Sequence, residues 1–281
     1  DFYGDILARG GNSGGDGGFV EVSGKDYLNY KGFVDTQAPL GEVGTLLLDP
    51  ANIVIVNGSG DSAADGNGTF SGAPSAVVGS VAGGDTGPSS IFESELEGIA
   101  ATTNISLAAT NSITINNLSD NTLNLAQTAG RSVTFSTGAG GFIMSDVNDT
   151  IVTAGGALNI TTTGGTSTIG NLATGAGLKT FNIGGTATVS GVINGTGGIT
   201  KTGTGTLRLN GNNTYSGTTT ITAGSLLLGS NTALGTGNVA LNGGTLSAQG
   251  GSRTLSNNVT IGGNAAIGGS SDLTIWLPIE H

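Results

Sequence analysis

Cysteine is absent from the 281 residues, and the single histidine is the last residue, His281. Such a chain has no thiol nucleophile and no internal imidazole around which to build a catalytic or metal centre. A lack of cysteine is also expected of a chain that crosses a bacterial envelope unfolded. Carboxylates are missing over a long stretch. From Thr150 to Ser271 there is no Asp or Glu, whereas residues 1–149 hold 17 of the 19. Acid–base chemistry needs positioned carboxyls or imidazoles, so catalysis in the second half is close to excluded. Aromatics number 13, prolines 5, and charged residues make up 10% of the chain. Low charge with a positive mean hydropathy of +0.14 argues against a disordered acidic linker. The net charge of −11 disfavours nucleic acid, which selects clustered Lys and Arg. No apolar run approaches the ~20 residues of a membrane-spanning helix.

What remains is mostly Gly (54) and Thr (39), with no Gly-X-Y period, so collagen is excluded. Short alternating runs (TLRL, TTTIT, SLLL, NVAL, GTLSA, NVTI, DLTI) are separated by Gly, Asn, Ser and Thr. Leu207, Leu226, Leu246 and Ile267 fall 19, 20 and 21 residues apart, each in mid-run; Ile221, Val239 and Val259 make a second series at 18 and 20. Two interleaved series imply a coil with at least two strands per turn. Successive coils then stack like residue on like, in parallel sheets. β-Branched side chains suit the pleated faces, and Gly-Gly or Asn-Gly supplies the corners. The expected fold is all-β: a right-handed parallel β-helix, or β-solenoid, of about twenty residues per coil. Leu207, Leu226 and Leu246 should form one inward ladder, and Ile221, Val239 and Val259 another.

The first half carries different wording. Gly14–Lys25 (GGDGGFVEVSGK), Val34–Pro39 and Gly44–Ile53 resemble segments of large secreted exoproteins of the filamentous-haemagglutinin type, and Ser94–Ile115 continues the likeness. Thr196–Gly229 resembles the autotransporter-associated β-strand repeat. The resemblance divides the chain into residues 1–186, a haemagglutinin-type β-helix, and residues 187–281, repeat coils continuous with it. It implies an adhesin-like stalk at the surface of a Gram-negative bacterium or secreted from it. The stalk would be exported through an outer-membrane transporter, by two-partner secretion or as an autotransporter passenger. It carries over no catalytic, cofactor-binding or metal-ligating residue. The likeness stops at Ile275, so Trp276–His281 reads as a truncated or frame-shifted end; the opening Asp1, without Met, reads as the start of an internal or mature piece.

Asn57–Ser90 is Gly/Ser/Ala/Asp-rich without strand periodicity, an excursion from the coil of the kind in which loops carry recognition. It leads into Ser90-Ile-Phe-Glu93, a capping-box spacing, so a short helix is expected near residues 91–98, with Ile91, Phe92, Leu96 and Ile99 on one face. Glu93, Glu95 and Glu97 read as a solvated helix face rather than a catalytic pair. Asp61, Asp65 and Asn67 offer oxygen ligands suited to Ca²⁺, yet match no calcium-loop spacing, and no cofactor is expected. Lys201 and Arg208 read as surface charge on neighbouring strands. Ice binding would need Thr-X-Thr at one coil position in layer after layer, which SLLL, NVAL and GTLSA do not keep.

Function follows from these readings as an expectation. The chain is expected to be a non-enzymatic, structural and adhesive stalk that attaches to host or neighbouring cells, to glycans or to matrix. Self-association end to end or laterally into an extracellular fibre is the alternative; a polysaccharide-active β-helix enzyme is the remote one.

Overall fold

The computed structural model describes residues 5–23, 33–57 apart from 37, 43 and 50, 89–98, 101 and 104–275. It is a β-solenoid of parallel strands with one five-residue helix, Glu93–Glu97, among the described residues. Two ten-stranded sheets run its length. The first contains Ile105–Ala109, Ser132–Thr137, Ala157–Thr162, Lys179–Ile183, Ile199–Thr202, Thr219–Ile221, Val239–Leu241 and Val259–Ile261, preceded by Phe19–Ser23 and Thr45–Asp49. The second runs from Ser89–Phe92 and Asn52–Val56 through Thr206–Leu209 and Ser225–Leu228 to Ala265–Gly268. A shorter third sheet is made of Thr122–Thr128, Thr150–Ala154, Asn171–Ala173 and Ile193–Asn194.

Alternation along each strand places one set of side chains inside. In Ser132–Thr137, Val133 and Phe135 are buried while Thr134 and Ser136 are partly exposed. The inward residues of the sheets meet in one continuous core. Within it the Phe135 and Phe142 rings pack across the coil with centroids 4.9 Å apart, in the tilted geometry that aromatic pairs favour.

The first expected ladder is present. Leu207 pairs with Leu226, Leu226 with Leu246, and Leu246 with Ile267. The second is displaced by one inward position. Val239 stacks on Val259 as expected, but below it lies Thr219; Ile221 instead sits between Lys201 and Leu241. Both rows face inward, two residues apart on the same strands, so spacing alone could not tell them apart.

Coil length also departs from a uniform twenty. Along the first long sheet the step is 28 residues from Ile105 to Val133, 25 to Leu158 and 21 to Lys179, then 20 at each step to Val259. The wide coils have room for the third sheet. That sheet ends at Ile193–Asn194, already within a twenty-residue coil; the next coil carries a turn at the same corner, which Tyr215 (0% exposed) fills. Asn213 stitches that turn in place: its Oδ1 accepts from the Ile193 amide at 2.8 Å and its Nδ2 donates to the Ala233 carbonyl at 2.6 Å. Asn257 repeats the device by donating to the carbonyls of Leu234, Gly235 and Gly237.

The expected helix is shorter than residues 91–98 and starts later. Ser89–Phe92 is a strand, not a capped helical turn, because it pairs in parallel with Asn52–Val56 through Ile53–Ser89 to Val56–Phe92. The chain therefore folds back one layer and covers the near edge of the second sheet. Burial of Ile91 within a strand outweighs the local capping signal. A parallel pair joined in sequence needs a crossover of a dozen or more residues. Deleting residues 59–88 outright should therefore strip Ser89–Phe92 from its neighbour, whereas a Gly/Ser linker of about fifteen residues should not. Hydrogen exchange at the Ile91 amide checks this: fast exchange is expected in the deletion and native protection in the linker variant.

Candidate functional site

Asp61, Asp65 and Asn67 lie outside the described residues, as do Ile99 and Trp276–His281. Of the carboxylates near the expected helix, Glu93 is buried and Glu97 accepts the Asn124 amide at 2.7 Å. Glu97 thereby supplies, at the edge of the third sheet, the acceptor that an unpaired strand N–H needs. Leu96 of the same helix is buried.

A second acidic group lies at the corner between the second and third sheets. Asp149 is fully buried; its Oδ2 accepts from the Leu118 amide at 3.2 Å, and Oδ1 has no partner. Burial raises its pKa above the usual carboxylate value; the amide hydrogen bond opposes this, and the nearby Asp146 and Asp120 charges add to it. Asp146 and Asp120 are themselves engaged with turn amides, those of Asn148 and Thr122. Among the described residues no group of three or more carboxylates or histidines is placed to hold a metal ion.

The basic residues of the second half are the largest departure from expectation. Lys201 is not surface charge: it is fully buried, as is Lys179. Each takes an inward ladder position, Lys179 between Leu158 and Ile199 and Lys201 between Phe181 and Ile221. The stem packs as a hydrophobe while the ammonium caps corner carbonyls. Lys179 Nζ donates to Thr174 Oγ1 at 2.9 Å, to the Gly197 carbonyl at 3.0 Å and to that of Gly177 at 3.3 Å. Lys201 Nζ donates to the carbonyls of Thr202, Gly203 and Ala223 at 2.6, 2.9 and 3.3 Å. Burial pushes both ammonium groups down to about 8, while the carbonyls favour the charged form. Corner glycines make room for this. A Cβ on Gly224, whose φ is +68°, would stand 2.3 Å from the Gly205 carbonyl and 2.7 Å from Lys201 Nζ.

The signal for these lysines was present in the strand parity. In Ile199-Thr200-Lys201-Thr202, alternation puts Lys201 on the same side as Ile199. Arg208, by contrast, does face outward, in register with Thr188 and Leu227.

Residues 199–228 match the family described as passenger-associated-transport-repeat. The match takes in 30 of the 281 residues. It covers two strands of each long sheet, Ile199–Thr202 and Thr219–Ile221 in the first and Thr206–Leu209 and Ser225–Leu228 in the second. The matched stretch contains Lys201, Tyr215 and Gly224. No curated protein and no solved structure matches the chain.

Proposed function

We propose that the chain is the structural and adhesive stalk of an exported bacterial exoprotein. The observation that carries this reading is the passenger repeat at residues 199–228, set within an unbroken stack of parallel coils from Ile105 to Ile261. Repeats of that family travel as passengers to the cell exterior. A solenoid whose coils contact only their neighbours makes a rigid spacer of any length. Such a stalk holds a contact surface away from the membrane and needs no catalytic group. The first-half likeness to filamentous-haemagglutinin-type exoproteins supports attachment to host or neighbouring cells, to glycans or to matrix, with export by two-partner secretion or as an autotransporter passenger.

The experiment is to display residues 1–281 on the outside of a non-adherent Gram-negative strain and measure retention on cell monolayers and on matrix- and glycan-coated surfaces. The stalk reading expects retention above the empty strain. It also expects purified chain to be seen as isolated rods by electron microscopy. Equal retention with and without the chain sinks the adhesive part. Continuous filaments of purified chain would replace it with the fibre-subunit reading. Turnover of a glucan or pectin-like substrate, lost on Glu93→Gln or Glu97→Gln, would replace both with an enzyme.

A further inference from the structure

Pairing register assembles something the linear spacing hides. The SLLL and GTLSA runs belong to the second long sheet, so they never interrupt the outward rows of the first. In that first sheet one outward row reads Ser106, Thr134, Asn159, Thr180, Thr200, Thr220, Ala240 and Thr260. The row two residues further on reads Ala108, Ser136, Thr161, Asn182 and Thr202. Thr222 and Asn242 continue it, their amides bonding to the Lys201 and Ile221 carbonyls of the preceding coils at 3.0 and 2.9 Å. Polar-X-polar is therefore kept in the five successive layers from Thr134 to Thr222. None of the residues from Thr134 to Thr260 in these rows is buried. Side-chain hydrogen bonds tie down three of them: Asn159 donates to Thr134 Oγ1 at 3.2 Å, and Thr222 Oγ1 to the Lys201 carbonyl at 3.2 Å.

We propose that this face, centred on Thr180, Thr200 and Thr220 with Asn182, Thr202 and Thr222, is an ice-binding surface that docks onto an ordered lattice of water. The spacing of the groups favours such a partner. Adjacent layers are about 4.8 Å apart, and groups two residues apart along a strand about 6.6 Å. The hydroxyls thus form a two-dimensional grid that only a periodic partner engages as a whole. The grid also carries no charge in a molecule of net charge −11. Each Thr offers a hydroxyl that both donates and accepts beside a methyl that does neither, which anchors a water network without imposing a charge on it.

Other occupants fit less well. The seven layers from Thr134 to Thr260 present roughly 30 Å by 10 Å, or about 300 Å², well short of the ~800 Å² per partner of a stable protein interface. The grid also lacks the Trp, Tyr and Arg anchors that concentrate binding energy in such interfaces. Nor does it hold an aromatic ring to stack on a sugar. The second long sheet serves as an internal comparison: its central outward row passes through Thr114, Ile143, Thr168, Thr188, Arg208, Leu227 and Ser247, and keeps no such array. The array is a property of one face and not of a Thr-rich composition.

The test is incorporation of residues 1–281 into slowly grown polycrystalline ice, with thermal hysteresis measured in parallel. Wild-type chain is expected to enter the ice phase. The double variant Thr200→Lys, Thr220→Lys is expected to be excluded, and Thr188→Lys on the second sheet to enter like wild type. Both variants should keep the wild-type circular dichroism and melting, since the substituted side chains point away from the core. Exclusion of wild-type chain to the same degree as the double variant overturns the proposal. So does a dimer in sedimentation equilibrium that the double variant abolishes while ice incorporation is unchanged, because the face would then serve a second copy.

Discussion

Leu226→Asp is expected to unfold the middle of the solenoid, at a cost of more than about 4 kcal/mol. Leu226 is fully buried, with Leu207 and Leu246 in register on either side, also fully buried. A carboxylate there is taken out of water and set between leucines, and burying a charge in such surroundings is among the costliest changes a core can suffer. Because each coil rests on its neighbours, the damage should spread to the coils of Leu207 and Leu246 before the wide coils around Val133 respond. Leu227→Asp supplies the contrast. Leu227 is the outward neighbour on the same strand and only partly buried, so its cost should stay near 1 kcal/mol or below. Hydrogen exchange read coil by coil separates the two. Equal protection in both variants would mean the inward register is wrong.

Replacing the buried lysines should produce the second largest effect, together with a pH signature that simple cavity formation lacks. Lys201→Ala removes a long stem from the core and orphans carbonyls of Thr202, Gly203 and Ala223, a loss of about 3 kcal/mol. Lys201→Met retains most of the packing and should lose less. The folded-state pKa of both lysines lies near 8, against an ordinary 10.5. Between those values the unfolded chain holds more protons than the folded one, so stability rises with pH across that window. The gain has a ceiling of about 3 kcal/mol per lysine. Tyr215 sets the upper limit of the clean range. Burial raises its phenol above the ordinary 10.0, the Thr219 hydrogen bond opposing; above pH 10 the unfolded chain therefore loses that proton first and stability is lost. Melting temperature should increase from pH 7.5 to pH 9.5 in the wild type and stay level in the Lys179→Met, Lys201→Met double variant. An identical rise in both would locate the titrating groups elsewhere.

The solenoid itself was legible in the chain. Alternation of apolar and polar residues, with turn residues returning about every twenty positions, leaves few ways to bury the apolar set. The Leu207, Leu226, Leu246 and Ile267 ladder follows from that alone. Strand parity was enough to place Lys201 beside Ile199 on the inside, although its charge argued for the surface. What decided the matter was the third dimension: corner carbonyls of Gly177, Gly197 and Gly203, brought around the ammonium groups by coils twenty residues apart in sequence. Tertiary packing also decided the register of Ile221, since two inward rows on one strand give the same spacing signal. The strand at Ser89–Phe92, written locally as a capped helix, was set by an unpaired sheet edge that only the folded coil presents. The grid of Thr, Ser and Asn belongs to the same class: it is read across coils and between alternate sheets, so its members are neighbours in space and about twenty residues apart in the chain. Sequence determined which residues must be hidden and at what period; the stacking of one coil on the next decided which of them touch.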